Sequence, residues 1–193
     1  MKICFATNNP NKLREIQQIL GEPFEVISLK ELGCFDEIPE PYETLEENSE
    51  TKARHVYDRY QIPVFADDSG REVKALSGAP GVHTAYYGGP ERSADKNMEK
   101  LLQALEGETD RQAQFRAVMT YIDAKGTHQF EGIVKGEIAQ NRAGTGGFGY
   151  DPVFQPEGYT KTFAQLPDSV KNEISHRGRS LEKLVLFLKS KNK

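Results

Sequence analysis

Short apolar runs alternate with amphipathic stretches along the first half of the chain. Lys2 to Thr7 has the apolar run of a buried strand. The cluster Asn8-Asn9-Pro10-Asn11 then breaks it, with Asn9 suited to cap a helix and Pro10 to take its first position. That helix carries Leu13, Ile16, Ile19 and Leu20 on one face and stops at Gly21. Phe24 to Ser28 predicts a second strand, and a loop rich in Pro and Glu runs from Gly33 to Tyr42. Thr44, with Glu47 three residues on, is a capping-box signature opening a helix to about Tyr60. Pro63 then begins a short apolar strand, Val64-Phe65-Ala66, which leads into a turn-forming tetrad, Asp67-Asp68-Ser69-Gly70.

Strand and helix alternate in the manner of an α/β sheet. A third helix is predicted over Ser93 to Leu105, with Met98, Leu101, Leu102 and Leu105 at helical spacing. Beyond it the period changes from helical to alternating. Gln112 to Ala124 and Thr127 to Ala139 form two strand-like runs joined at Lys125-Gly126, a hairpin signal. The last helix spans about Ser175 to Ser190, with Leu181, Leu184, Val185 and Leu188 on one face. The terminal Lys189, Lys191 and Lys193 are expected to be a solvated helix end. With no repeat and no linker, residues 1–193 are expected to form one α/β domain of two lobes.

A formal charge of −4 gives no general attraction for nucleic acid or an anionic membrane, so a polyanionic substrate needs local cations and a metal. No stretch approaches the length of a bilayer span. The apolar residues after Met1-Lys2 are too few for a signal peptide, and a reducing cytoplasm is the expected compartment. Cys4 and Cys34 form no CxxC or Cys/His motif, so neither a zinc site nor a disulfide framework is expected.

Four segments and two single residues carry candidate chemistry. Asp67 and Asp68 place like charges side by side, which a cation or a shared proton must relieve; a divalent metal carrying a phosphate substrate does so. A solvated Asp-Asp turn is the alternative. Thr7, Asn8, Asn9 and Lys12 surround a helix N-terminus, whose free N–H groups suit an anion. Lysine in a first turn opposes the helix dipole unless an anion meets it. The glycine-rich segment Gly144 to Pro152 leaves Phe148 open to stack on a nucleobase, worth about 1–3 kcal/mol; inward packing of Phe148 and Tyr150 is the alternative. Lys171, His176, Arg177 and Arg179 gather cations before an apolar helix, with Lys171 suited to phosphate and His176 and Arg177 to a base edge. Glu40, fixed between Pro39 and Pro41, can aim a carboxylate at a metal, and Lys52 lies on the helix after the capping box.

Together these segments resemble the inosine triphosphate pyrophosphatase family of the Ham1/RdgB type. The resemblance spans the chain in order: Ala6-Thr7-Asn8-Asn9 to Lys12; Glu40 with Glu47-Asn48 and Lys52-Ala53; Ala66 to Gly70; Gly78-Ala79-Pro80-Gly81-Val82; Gly146 to Pro152; and Lys171-Asn172 with Ile174-Ser175-His176-Arg177. It implies an elongated two-lobed fold with a mixed sheet and a central active-site cleft, in a homodimer. It also implies Mg²⁺-dependent hydrolysis of ITP, dITP and XTP to the monophosphate and pyrophosphate. Under the resemblance Asp68 is the general base, and Glu40, Asp67 and Asp68 hold the metal. Thr7, Asn8, Asn9, Lys12, Lys52, Ser69 and Lys171 hold the triphosphate, while Phe148, Gly149, Tyr150, Asp151, His176 and Arg177 enclose the base. A non-hydrolysing purine nucleotide-binding protein and a Maf-type pyrophosphatase are the alternatives. The chain departs from the family pattern at Arg71 and Lys74, where a leucine and an acid are usual, and at His83 to Tyr87.

Overall fold

The computed structural model describes residues 1–191. By internal packing the chain forms two compact units, one of Met1–Asp68, Ala117–Gly132 and Arg177–Lys193, the other of Ser69–Arg116 and Ile133–His176. The described residues form seven strands and five α-helices: β1 (Lys2–Phe5), α1 (Pro10–Ile19), β2 (Glu25–Ser28), α2 (Leu45–Tyr60), β3 (Val64–Val73), β4 (Pro80–Gly81), α3 (Ala94–Ala104), β5 (Gln112–Asp123), β6 (Gly126–Ile138), β7 (Phe154–Pro156), α4 (Asp168–Ile174) and α5 (His176–Ser190). Strand neighbours run β2-β1-β3-β5-β6-β7, with β4 on β3. The sheet is mixed: β1 pairs in parallel with β2 and β3, whereas β3–β4 and β6–β7 are antiparallel. The α/β class predicted from the alternation is the observed one.

In the first unit, the apolar face of α1 buries Ile16 and Leu20 with Phe5, Phe65, Leu181 and Leu184. A second cluster in this unit joins Cys4, Ala6, Ala53, Val56, Val64 and Ala66. Ser49, a polar residue on the inner face of α2, is buried because its hydroxyl meets that of Thr120 at 2.7 Å. Lys191 is not a solvated terminus: its Nζ lies 3.1 Å from Asp123 Oδ2, with its side chain 22% exposed. Lys193 lies outside the described residues.

The second unit packs Met98, Leu101 and Leu105 of α3 with Phe115, Phe154 and Phe163. The departures at Arg71 and His83 to Tyr87 have local explanations here. The Arg71 guanidinium lies 4.3 Å from the Phe115 ring centre, and its backbone N–H donates to Thr84 Oγ1 at 2.9 Å. Lys74 pairs with Asp110 at 2.8 Å.

Two predicted boundaries change. The strand expected to end at Ala66 continues to Val73, so Asp67-Asp68-Ser69-Gly70 is strand and not turn. Pairing of Arg71 with Gly81 and of Glu72 with Pro80 overrides the local turn preference. Gly70 serves this pairing, since a Cβ there would lie 2.8 Å from the Gly81 carbonyl oxygen. The second change is α4, a seven-residue helix before α5 that the hydrophobic pattern does not announce.

Candidate active site

Alternation along β3 sends the Asp67 and Asp68 side chains to opposite faces. Asp67 points into a buried set of cations in the first unit, its side chain 0% exposed. Its Oδ1 accepts from Lys12 Nζ at 3.1 Å and its Oδ2 from Arg177 Nε at 3.1 Å. Arg177 also donates from Nη1 to Glu15 on α1. Lys52 Nζ donates to Glu40 and, at 2.5 Å, to the Asp67 carbonyl oxygen. Lys12, Glu15, Glu40, Lys52, Asp67 and Arg177 thus form one ionic network, drawn from three helices, a loop and a strand.

Local sequence explains how each arm is held. Asn9 caps α1, its Oδ1 accepting from the N–H groups of Asn11 and Lys12, while Thr7 Oγ1 accepts from Asn9 N–H at 3.1 Å. This fixes the first turn and aims Lys12. Thr44 caps α2 by accepting from Glu47 N–H, and Asn48 holds the preceding loop through both backbone groups of Tyr42. That loop presents Glu40 to Lys52. Asn8 reaches the same loop, with its side-chain amide 3.4 Å from the Asp36 carbonyl.

The charges perturb one another. Burial pushes the Asp67 carboxyl up, but Lys12, Arg177 and Lys52 outweigh it and hold the group well below the usual carboxylate range. Asp68 moves the other way: burial raises it, Lys52 and Lys12 pull it down, and Glu40 and Asp67 push it up, with a net rise. Burial lowers Lys12, against the pull of Asp67. Lys52 is raised in spite of burial, because Glu40, Asp68 and Asp67 surround it with negative charge. Asp68 is therefore the more basic of the paired acids, as a proton acceptor requires.

The second unit holds the remaining candidates. Asp151 Oδ2 accepts from Phe148 N–H at 2.9 Å and from Lys171 Nζ at 2.6 Å. Lys171 Nζ lies 4.6 Å from the Phe148 ring centre, so one acid fixes both ring and lysine. Tyr150 packs inward, its hydroxyl donating to the Thr84 carbonyl at 2.6 Å. Gly149 has positive φ. His176 is buried edge-on to Phe115, ring centres 5.5 Å apart. Ser69 Oγ lies 3.3 Å from Arg71 Nη1. Gly147 is required by geometry: its φ is +66°, and a Cβ would sit 2.1 Å from Asp151 Oδ2. Gly147→Ala is expected to dislodge Asp151 and cost about 1–3 kcal/mol of stability, measured by denaturant unfolding.

The sequence singled out the residues of both sets without showing their partners in the protein. The anion facing Lys12 in its helical turn is Asp67, and Arg177 at the start of α5 faces Asp67 and Glu15. Glu15 was missed; on an amphipathic helix a single glutamate gives no signal that it is buried.

The chain matches the model of the Ham1 family over residues 3–187. It is 48% identical over 188 residues to a protein of Flavobacterium johnsoniae named dITP/XTP pyrophosphatase, covering 97% of this chain and 98% of that one. A protein of the same name from Porphyromonas gingivalis is 50% identical over 188 residues, covering 97% of each. The Ham1 protein structure from Staphylococcus aureus superposes with a TM-score of 0.90 at 39% identity, covering 99% of this chain and all of that one. With nearly all of its length matched and its fold the same, the chain belongs to the Ham1 family.

Proposed function

We propose that the protein is a nucleoside triphosphate pyrophosphatase that hydrolyses non-standard purine nucleotides, ITP, dITP and XTP, to the monophosphate and pyrophosphate. The observation that carries this reading is the network around Asp67 and Asp68: buried lysines beside a carboxylate of raised proton affinity, in a chain whose relatives bear the name dITP/XTP pyrophosphatase.

The cations around Asp67 take the phosphates. Lys12 and Lys52 neutralise phosphate oxygens, and the capped start of α1, with Thr7, Asn8 and Asn9, offers N–H groups to the same chain of anions. Asp68 accepts a proton from the attacking water; the water oxygen bonds to the α- or β-phosphorus, the α–β anhydride bond breaks, and the bridging oxygen stays with the phosphoryl group that was not attacked. A raised proton affinity suits that role near neutral pH. The donor set fits Mg²⁺: Glu40 and Asp68 are hard carboxylates, and the Glu40 charge helps raise the proton affinity of Asp68. Glu40 and Asp68 would hold the ion, which supplies charge neutralisation to the phosphates. Asp67, its two oxygens engaged by Lys12 and Arg177, is assigned to holding those cations in place.

The segment around Phe148 takes the nucleoside end. Phe148 offers a stacking face, Asp151 orders its loop, His176 supplies a donor to the base, and Lys171 supplies a cation to the phosphates. A 6-oxo purine meets donors with an acceptor, whereas adenine presents an amino group and leaves them unpaired. Lys171→Ala is expected to raise KM for ITP by at least about tenfold with a smaller change in kcat, measured by steady-state kinetics. Unchanged KM would remove Lys171 from the binding residues.

The reading is tested by product analysis. With Mg²⁺, ITP is expected to yield IMP and pyrophosphate in equal amounts, and EDTA is expected to abolish the reaction. Release of orthophosphate, or full activity in EDTA, would contradict it. We assign the protein to the cytoplasm as a homodimer, and light scattering should give twice the chain mass of 21.7 kDa. No helix among the described residues is long and apolar enough to cross a membrane.

A further inference from the structure

No Cys/His motif exists in the sequence, yet folding assembles a metal-ligand set away from the acids described above. Cys34 and Asp36 lie in the loop after β2, and His55 lies on α2. One ligand atom from each, a sulfur, a carboxylate oxygen and a ring nitrogen, falls within 4.8 Å of the others. The network around Asp67 uses none of the three. We propose that Cys34, Asp36 and His55 form a second cation site, selective for a borderline-soft divalent ion such as Zn²⁺.

The donor chemistry makes the selection. A thiolate and an imidazole favour Zn²⁺ over Mg²⁺ or Ca²⁺, which prefer all-oxygen shells. Three protein ligands with a water as the fourth is a common zinc arrangement. Tetrahedral Zn²⁺ with bonds of about 2.0–2.3 Å needs ligand atoms about 3.3–3.6 Å apart, so the observed group closes with small side-chain movements.

The surroundings supply the rest. His55 Nε2 already lies 2.9 Å from Asp36 Oδ2, and the cation would replace the proton shared there. Arg59, the other partner of Asp36, opposes a cation, but its side chain is 55% exposed and can turn to solvent. Cys4 is not part of this group; burial pushes its thiol up to about 12, with Cys34 and Glu31 adding to the rise. Binding converts the Cys34 thiol to thiolate and releases its proton to the buffer. An occupied site would fasten the loop that carries Glu40 to the helix that carries Lys52, adding a second tie where the Glu40–Lys52 pair now acts.

The test uses Co²⁺ as a spectroscopic probe, titrated into the reduced full-length protein in excess Mg²⁺ so that hard-oxygen sites are filled. One equivalent is expected to give near-ultraviolet thiolate-to-cobalt absorption, which Zn²⁺ then bleaches by displacement. C34S is expected to abolish the band, H55A to weaken Co²⁺ binding by at least about tenfold, and C4A to leave it unchanged. Absence of the band in the wild-type protein would overturn the proposal. So would a band that survives C34S, or Co²⁺ affinity in folded H55A equal to wild type. If C34S does not fold, the wild-type titration and H55A still decide.

Discussion

Replacing Asp68 with asparagine is expected to lower pyrophosphate release from ITP by at least about 10²-fold while the chain stays folded. The substitution is nearly isosteric and keeps an oxygen at the same point of β3, so packing around it changes little. What it removes is the proton acceptor and one negative charge. Burial, Glu40 and Asp67 all raise the proton affinity of Asp68, so loss of that charge relieves repulsion, and thermal stability should hold or rise slightly. Turnover and stability are therefore expected to move separately, which a purely structural role would not allow. Near-normal turnover would remove Asp68 from the role of base and favour a nucleotide-binding protein with some other catalytic group. KM should change less than kcat, because Lys12 and Lys52 remain to meet the phosphates.

Asp67→Ala is expected to do the reverse, striking stability first. Asp67 is the shared anion between Lys12 and Arg177, with no exposed side chain. Removing one partner of a buried ionic network leaves cations unmatched in a low dielectric, a loss of about 3–5 kcal/mol. Glu15 still faces Arg177, so the larger share of the loss falls on Lys12. Urea unfolding monitored by circular dichroism measures this directly. A change below about 1 kcal/mol would show that the network is solvated in solution. Arg177→Lys is a useful companion, because it keeps the charge but loses the guanidinium fork that reaches Asp67 and Glu15 together.

Much of this arrangement was legible in the sequence, and the failures share a cause. Helices α1, α2, α3 and α5 carry their own periodicity and caps, so local physics was enough to find them. The strand through Asp67 to Val73 was not legible, because Asp, Ser and Gly are turn formers and only pairing with Gly81 and Pro80 makes them strand. Helix α4 spans seven residues, too few for a hydrophobic period to register. The charged residues were recognised as needing counter-charges, but sequence identifies a charge without its partner. Lys12 lies 55 positions from Asp67, and Arg177 lies 162 from Glu15. The Cys34, Asp36 and His55 group escaped notice for the same reason: its spacing belongs to no linear motif.

The most direct test of the central claim is the ratio of kcat/KM for ITP, dITP and XTP to that for ATP, measured by pyrophosphate release in Mg²⁺. The account predicts a preference of at least about 10²-fold for the 6-oxo purines, since an amino group at that position leaves buried donors unpaired. Equal specificity constants for ITP and ATP would contradict it.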